Sequence, residues 1–370
     1  MGVDLGSVEF YTGPVVLGGP DDLEQVVVDF IAGAEAELFV AVQELDSRAV
    51  AQAIIAARAS TNEVKVKLIL EGDYLAEKKR PIDPWIVAGE FEENRVIHGA
   101  LLRAGIDTIT DLNPEIFHQK FIVRDPGLPT AAVLTGSANF TLTDLGHNPP
   151  HNPEQPGNNL NHLVILHGQR ASREYKAEFD RLWAGTFGAL HDRVEPRPAE
   201  MRLAGIRVKP LFAPYHGPEM EIMKQMLKAR TSVDFAMFTF AQSSGIDDTM
   251  FRLVNQIPRL RGVLDRVQGS HAWAATQPLK AAGVALFENK PGTGVRKVHH
   301  KLMVIDERIV VAGSFNYTAP AATLNDENIV VIGDLEETPG SEADLAQRRV
   351  AAYALHEIER IIAELSRPVT

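Results

Sequence analysis

The chain of 370 residues contains no cysteine. That excludes disulfides, zinc-thiolate centres and cysteine nucleophiles, so any covalent catalysis must use another side chain. No stretch approaches the roughly 18 consecutive apolar residues of a membrane-spanning helix, and Met1 to Phe10 hold no basic segment followed by an apolar run. A cytoplasmic protein without a transmembrane segment is the expectation. Excess positive charge is lacking too: the formal net charge is −12, which argues against a surface coated in positive potential, although a local basic cleft is compatible with it. No glycine-rich loop precedes a Lys-Ser or Lys-Thr pair, so there is no case for a nucleotide triphosphatase.

What is present is an ordinary globular composition, 45% hydrophobic and 23% charged. The length suits two domains of roughly 150 to 200 residues each. The chain is in fact written twice. Each half opens with a strand-like segment and a proline turn, VVLGGPDDLEQVVVDFIAGA and KPLFAPYHGPEMEIMKQMLKA, and continues into a helical period carried by Leu23, Val26, Val27, Phe30 and Ile31 in one copy and Met220, Met223, Met226 and Leu227 in the other. Short apolar strands follow at 37–45 and 232–240. Further on, LLRAGIDTI and LKAAGVALF place Gly105 and Gly283 where a helix ends and a strand begins. Alternating strands and helices predict an α/β fold: two similar sandwich domains, each a largely parallel or mixed sheet covered by helices. The polar, proline-containing HDRVEPRPAEMR places the boundary around 190–205, giving domains 1–195 and 205–370.

Two segments carry the chemistry, IFHQKFIVRD and KVHHKLMVID. Both read as strands, in which residues two apart share a face, so His118 and Lys120 project together, as do His299 and Lys301, while His300 points the other way. Each strand leads through a turn to a Gly-Ser-x-Asn, with Ser137 and Asn139 in the first copy and Ser314 and Asn316 in the second. Brought together across a pseudo-twofold axis, these groups make one positive pocket rich in hydrogen-bond donors. That suits a phosphodiester: a neutral imidazole attacks, an imidazolium protonates the leaving oxygen, and lysine, serine and asparagine offset charge on the phosphoryl oxygens. The lysines supply the positive charge, so no metal and no cofactor are expected. Asp125 and Asp306 lie five residues beyond their lysines, and a structural hydrogen-bonding role is the better reading of both.

On these residues the chain resembles the phospholipase D superfamily, whose pattern is His-x-Lys, four residues, Asp, typically six residues, and Gly-Ser-x-Asn. The second copy follows it throughout, from His299 to Asn316, and Glu327 in LNDENIVVI falls where the family often has an acid that buttresses a catalytic histidine. The first copy departs: ten residues separate Asp125 from Gly136, and Asn161 in NNLNHLVIL takes the place of Glu327, so that this histidine partner is missing or comes from elsewhere. The resemblance implies a phosphohistidine intermediate, with His118 as nucleophile and His299 as general acid and base. It covers nearly the whole chain, and a pseudo-dimer built within one chain suits a monomer.

A metal-independent nuclease acting on DNA or RNA is the first expectation for substrate, because of the absent signal peptide, the compact length and the basic Arg296 and Lys297 ahead of the second motif. A phospholipase D or phosphatidyltransferase acting on phospholipid headgroups is the alternative. A non-catalytic binding protein predicts a lost histidine or lysine, and none is lost. Other basic clusters, Lys65 and Lys67 with Lys78, Lys79 and Arg80, and Arg259, Arg261 and Arg266, read as solvated surface. The loop GHNPPHNPEQPGNNLNH, with His147, His151 and His162, reads as a flank of the active site and not a metal centre; the stretch 144–162 is expected to bear on substrate choice. Trp273 is a weak candidate for base stacking or a lipid cleft.

Overall fold

A computed structural model describes residues 2–76, 85, 92–149, 157–191 and 195–370. Two mixed sheets of nine strands carry the chain. In the first, Val3–Asp4, Val8–Gly13, Asn158–His167, Ala132–Gly136, Lys120–Arg124, Glu37–Val42, Lys65–Leu70 and Asp107–Thr110 lie side by side, and Val295–Val298 joins from the other half by pairing with Asn158–His167. The second repeats this order from its edge strand Met201–Leu203 through Ile206–Ala213, Glu327–Ile332, Ile309–Gly313, Lys301–Ile305, Ser232–Met237, Arg259–Leu264 and Ala285–Asn289, with Ser366–Pro368 beyond. In each sheet three strands joined by helices run parallel, and the motif hairpin adds antiparallel to them. The second sheet thus begins at residue 201, inside the stretch expected to link the domains, because Met201 and Leu203 are buried and pair with Val208 and Ile206.

Local sequence explains the helices. Leu23–Ala32 starts where the Asp22 side chain accepts from the Gln25 N–H, and its buried Leu23, Val27, Phe30 and Ile31 recur at helical spacing on one face. Arg48–Arg58 starts at Ser47 in the same way and buries Val50, Ala51, Ile54 and Ala57. Gly105 and Gly283 adopt positive φ, 72° and 100°, between the helices Glu92–Arg103 and Thr276–Ala281 and the strands that follow them.

The two longest helices, Gln169–Trp183 and Glu342–Arg360, pack between the sheets. Strand alternation divides the core accordingly. Phe121 and Val123 face the shared central cluster with Tyr175, Phe179, Leu302, Val304 and Ile358, whereas Ile122 faces the outer cluster of the first half and Met303 and Ile305 that of the second. The halves are therefore fused by apolar surface buried from both, with Tyr175 and Phe179 fully enclosed at the junction. His118 and Lys120 share the parity of Ile122, while Gln119 and His300 share that of the central residues and turn inward.

Candidate active site

Just ahead of each motif lysine the backbone leaves its own sheet and pairs with the other half. Phe117 bridges Asp326, and the His118 N–H donates to the Asp326 carbonyl at 2.9 Å. By the same geometry Val295–Val298 runs parallel to Asn158–His167, and the His299 N–H donates to the Leu160 carbonyl at 3.0 Å. This exchange decides the histidine partners. His118 Nδ1 lies 2.7 Å from Glu327 Oε2, and His299 Nδ1 lies 3.0 Å from Asn161 Oδ1. Glu327, which in sequence belongs to the complete second copy, serves the histidine of the first, and Asn161 serves the histidine of the second.

The acid missing from position 161 is supplied by Asp144. Its Oδ1 sits 3.6 Å from His299 Nδ1, and its carboxylate accepts from the Asn139 N–H at 2.8 Å, Asn159 Nδ2 at 2.5 Å and Asn161 Nδ2 at 3.2 Å. Those donors orient the amides. With its nitrogen turned to Asp144, Asn161 presents its oxygen to His299, which must then carry its neutral-state proton on Nδ1 and leave Nε2 as its second, titrating nitrogen. Glu327, as a carboxylate, imposes the same tautomer on His118.

Beneath the imidazoles lie the lysines, both buried. Lys120 donates to the His118 carbonyl at 3.0 Å and to Gln43 Oε1 at 3.2 Å; Lys301 donates to the His299 carbonyl at 2.8 Å and sits 4.9 Å from the centre of the Phe238 ring. Burial lowers Lys120 to about 8 against the pull of Glu327 and Asp144, and burial together with Lys120 drives Lys301 well down. Both histidines are also held well below their ordinary value, by burial first and the neighbouring lysines second. These buried cationic groups would gain from a neighbouring anion beyond Glu327 and Asp144. A bound phosphoryl group offsets the cost of burying them by its charge and raises all four groups toward their charged forms.

The serines act differently from the sequence-based expectation that they donate into the pocket. Ser137 Oγ donates to Asn161 Oδ1 at 2.8 Å and Ser314 Oγ to Glu327 Oε2 at 2.6 Å, and both side chains are fully buried. Each hydroxyl is committed to a histidine partner. The glycines before them are required by space: a Cβ on Gly136 falls 2.2 Å from the His162 carbonyl oxygen, and one on Gly313 falls 2.3 Å from that of Asn328. Asn139 and Asn316 do line the cavity, and the Oδ1 of each lacks a partner among the described residues.

The cavity over the histidines has a volume of about 440 Å³. Its lips are not equivalent. Gln43, Glu44 and Asp46 follow one central strand, where Phe238, Thr239 and Ala241 follow the corresponding strand of the other half, and Lys297 stands where the first half has Ile116. Phe238 packs edge-on against His299 with centroids 4.9 Å apart. Burial and the adjacent Asp46 and Asp144 push Glu44 up to about 8; burial likewise raises Asp46 to about 6. Sequence reasoning missed Asp144, Glu44, Asp46 and Phe238. The usable signal was position, since loops at the carboxyl ends of parallel strands are where α/β sheets bind ligands.

The family described as "Cardiolipin synthase, PLD-like domain" matches residues 27–183 and 222–347, both halves of the chain. The chain belongs to the phospholipase D superfamily. Among curated relatives, a mitochondrial cardiolipin hydrolase of Chlamydomonas reinhardtii is 32% identical over 106 residues, 29% of this chain and 46% of that protein. A phospholipase D of Rickettsia prowazekii is 26% identical over 160 residues, 42% of this chain and 73% of that one. The match thus spans less than half the length of that cardiolipin hydrolase. Among solved structures, phosphatidylserine synthase of Haemophilus influenzae superposes with a TM-score of 0.64 at 10% identity, covering 100% of this chain and 89% of its own. Polyphosphate kinase of Porphyromonas gingivalis gives 0.61 at 11%, covering 98% and 48%.

The remaining sequence candidates of this phospholipase D-superfamily chain that fall among the described residues lie away from the cavity. His300 is buried at the centre, 3.1 Å from His162 and 3.4 Å from Glu357. His147 pairs with Asp22, and His151 lies outside the described residues. No group of three metal-ligating side chains converges among the described residues. Arg259 and Arg261 are tied to Asp234, Glu307 and Glu359, and Lys65 to Glu37; Lys78, Lys79 and Arg80 lie outside the described residues. Trp273 is half-exposed, stacked on His271. Of the flanking loop, 150–156 lies outside the described residues.

Proposed function

We propose that the chain hydrolyses or transfers the headgroup phosphodiester of a phospholipid through a phosphohistidine on His118. The observation that carries the chemistry is the pairing of His118 Nδ1 with Glu327, which leaves Nε2 as the attacking nitrogen in a cavity shared with His299. Nε2 of His118 forms a bond to phosphorus as the bond from phosphorus to the leaving oxygen breaks. His299, protonated once the phosphoryl charge is in place, delivers its Nε2 proton to that oxygen. The neutral His299 then takes a proton from water or an alcohol, which attacks phosphorus and releases His118. Lys120, Lys301, Asn139 and Asn316 hold the phosphoryl oxygens, and Ser137 and Ser314 position the histidine partners.

Lipid is favoured over nucleic acid for two reasons. The matched family and the curated relatives carry lipid-acting names. And the Arg259, Arg261 and Lys65 side chains are spent on carboxylates, leaving Arg296 and Lys297 as the basic residues of the cavity lip among the described residues, a short track for a polyanion that is held phosphate by phosphate. The test incubates purified protein, in chelator, with vesicles of cardiolipin, phosphatidylglycerol and phosphatidylethanolamine, and separately with single-stranded DNA, duplex DNA and RNA. Headgroup release that His118→Ala abolishes is expected. Cleavage of nucleic acid alone sinks the lipid reading.

A further inference from the structure

The backbone segments that deliver the two motif histidines are not held alike. Ahead of His299, Val295, Lys297 and Val298 pair with Asn158, Asn159 and Leu160 in a short parallel ladder. Ahead of His118, the matching contact among the described residues is the isolated bridge between Phe117 and Asp326. Two hydrogen bonds close it, from the His118 N–H to the Asp326 carbonyl at 2.9 Å and from the Asp326 N–H to the Ile116 carbonyl at 3.1 Å. Each segment also receives a comparable tie from its own half: the Phe117 N–H donates to Glu71 Oε2 at 2.7 Å, and the Val298 N–H to Asp265 Oδ2 at 3.1 Å. His118 is therefore carried by less backbone pairing than His299, although a misplacement of about 1 Å costs a displacement reaction about a hundredfold in rate.

The side chain at 326 makes up the difference. Its pseudo-twofold counterpart, which accepts the His299 N–H, is Leu160, whose side chain bonds to nothing polar. Asp326 is fully buried. Its Oδ1 accepts the Gly188 N–H at 2.9 Å and lies 3.4 Å from His191 Nε2, and its Oδ2 accepts from Asn113 Nδ2 at 2.8 Å. Asn113 Oδ1 accepts the Glu115 N–H at 2.9 Å, so the chain ahead of His118 is tied to itself as well as to Asp326. Two stretches of the first half, 113–118 and 188–191, thus close on one residue of the second. The fit is tight: Gly188 stands at φ 49°, and a Cβ there falls 2.6 Å from Asn113 Nδ2. Hydrogen bonds to a carboxylate are roughly twice as strong as neutral ones, which leucine at this position would forgo entirely. We propose that Asp326 is a positioning residue for His118, its side-chain bonds to Asn113, Gly188 and His191 standing in for the ladder that holds His299. The nucleophilic role of His118 rests on the phosphohistidine reading; the placement of its ring does not.

Two measurements on the full chain test this. In the His299→Ala protein, a diester with a p-nitrophenolate leaving group isolates the step at His118: the burst amplitude counts folded sites, and the burst rate reports how well the ring is placed. Adding Asp326→Asn is expected to slow the burst about tenfold, less than a full 1 Å misplacement costs. Asn113→Ala, which removes one donor and no charge, is expected to slow it by less, in the same direction. The second measurement needs no reaction. With histidine labelled by nitrogen-15 in the otherwise wild-type chain, the Nδ1–H resonance of His118 is expected to move in Asp326→Asn while that of His299 stays. A reduced amplitude at unchanged rate, with the His118 resonance unmoved, makes Asp326 an element of the fold alone and overturns the proposal. Equal movement of both histidine resonances overturns it too. No burst from the His299→Ala parent, with the His118 resonance still moving alone in Asp326→Asn, upholds the placement and removes the phosphohistidine reading.

Discussion

Glu327 Oε2 lies 2.7 Å from His118 Nδ1 although 209 residues separate the two in sequence. The contact joins the halves as well as orienting the ring, and the Ser314 hydroxyl fixes the same carboxylate oxygen. Glu327→Gln keeps the size and an acceptor but removes the charge that stabilises the imidazole as it becomes phosphorylated. We expect kcat to fall by about a hundredfold with KM little changed, measured by steady-state headgroup release. A proportionate rise in KM with intact kcat is the outcome that removes Glu327 from the chemistry.

The unequal partners make the histidines separable by experiment. A diester with a p-nitrophenolate leaving group needs no protonation to depart, so the His299→Ala protein should release close to one equivalent of p-nitrophenol per site and then stall, with the phosphoryl adduct mapped to His118 by mass spectrometry. His118→Ala should give neither burst nor adduct. An adduct on His299 in the wild type reverses the assignment.

Much of this was legible in the sequence. The strand parity of His118, Lys120 and His300, the doubled α/β order and the helix ends at Gly105 and Gly283 follow from short-range pattern, and short-range pattern survives folding. What did not follow was the exchange of segments ahead of each lysine. Asn161 in place of Glu327 was visible as a difference between copies, but which histidine each served depends on backbone pairing between residues such as Phe117 and Asp326, far apart in the chain. Asp144 escaped for a related reason: it reaches His299 from a helix of four residues, Leu142–Leu145, with no motif around it. The serines were misjudged because the sequence marks them as part of the motif without saying whether their hydroxyls meet substrate or partner.

The pH profile of kcat/KM should be a narrow bell. Burial raises the Glu327 carboxyl, and the active tautomer of His118 needs that group ionised, so activity present above its pKa is lost as pH falls through it. Burial lowers Lys120 to about 8 and drives Lys301 and His299 well down, and both lysine cations and the His299 proton are needed for the phosphoryl transfer, so activity is lost as pH rises through these groups. In Glu327→Gln the acid limb should vanish while the basic limb stays. An unchanged acid limb in that variant assigns it to another group.

Asp125 and Asp306 are expected to stabilise the fold without touching the chemistry. Asp306 accepts the N–H groups of Arg230, Thr231 and Ser232, each at 2.8 Å, and Asp125 accepts those of Glu35, Ala36 and Glu37 at 2.8 to 2.9 Å. Both stand at positive φ, 51° and 48°, at the start of the turn that follows a motif strand. Burial alone would raise Asp306, but the N–H groups of Ser232, Thr231 and Arg230 outweigh it and hold the carboxyl below its usual value. Its stabilisation is therefore present above the ordinary carboxylate range and is lost as pH falls through the folded-state pKa. Asp306→Ala strips four donors, those three N–H groups and the Thr231 hydroxyl, of their acceptor and leaves alanine in a left-handed backbone. We expect a loss of about 2 to 3 kcal/mol in urea unfolding at pH 7, shrinking below pH 4. Asp306→Asn, which tolerates that backbone and keeps one acceptor oxygen, should lose about half as much. Activity per folded molecule should be preserved in both. A hundredfold drop in kcat for Asp306→Asn at unchanged stability is the result that would return this aspartate to the catalytic machinery.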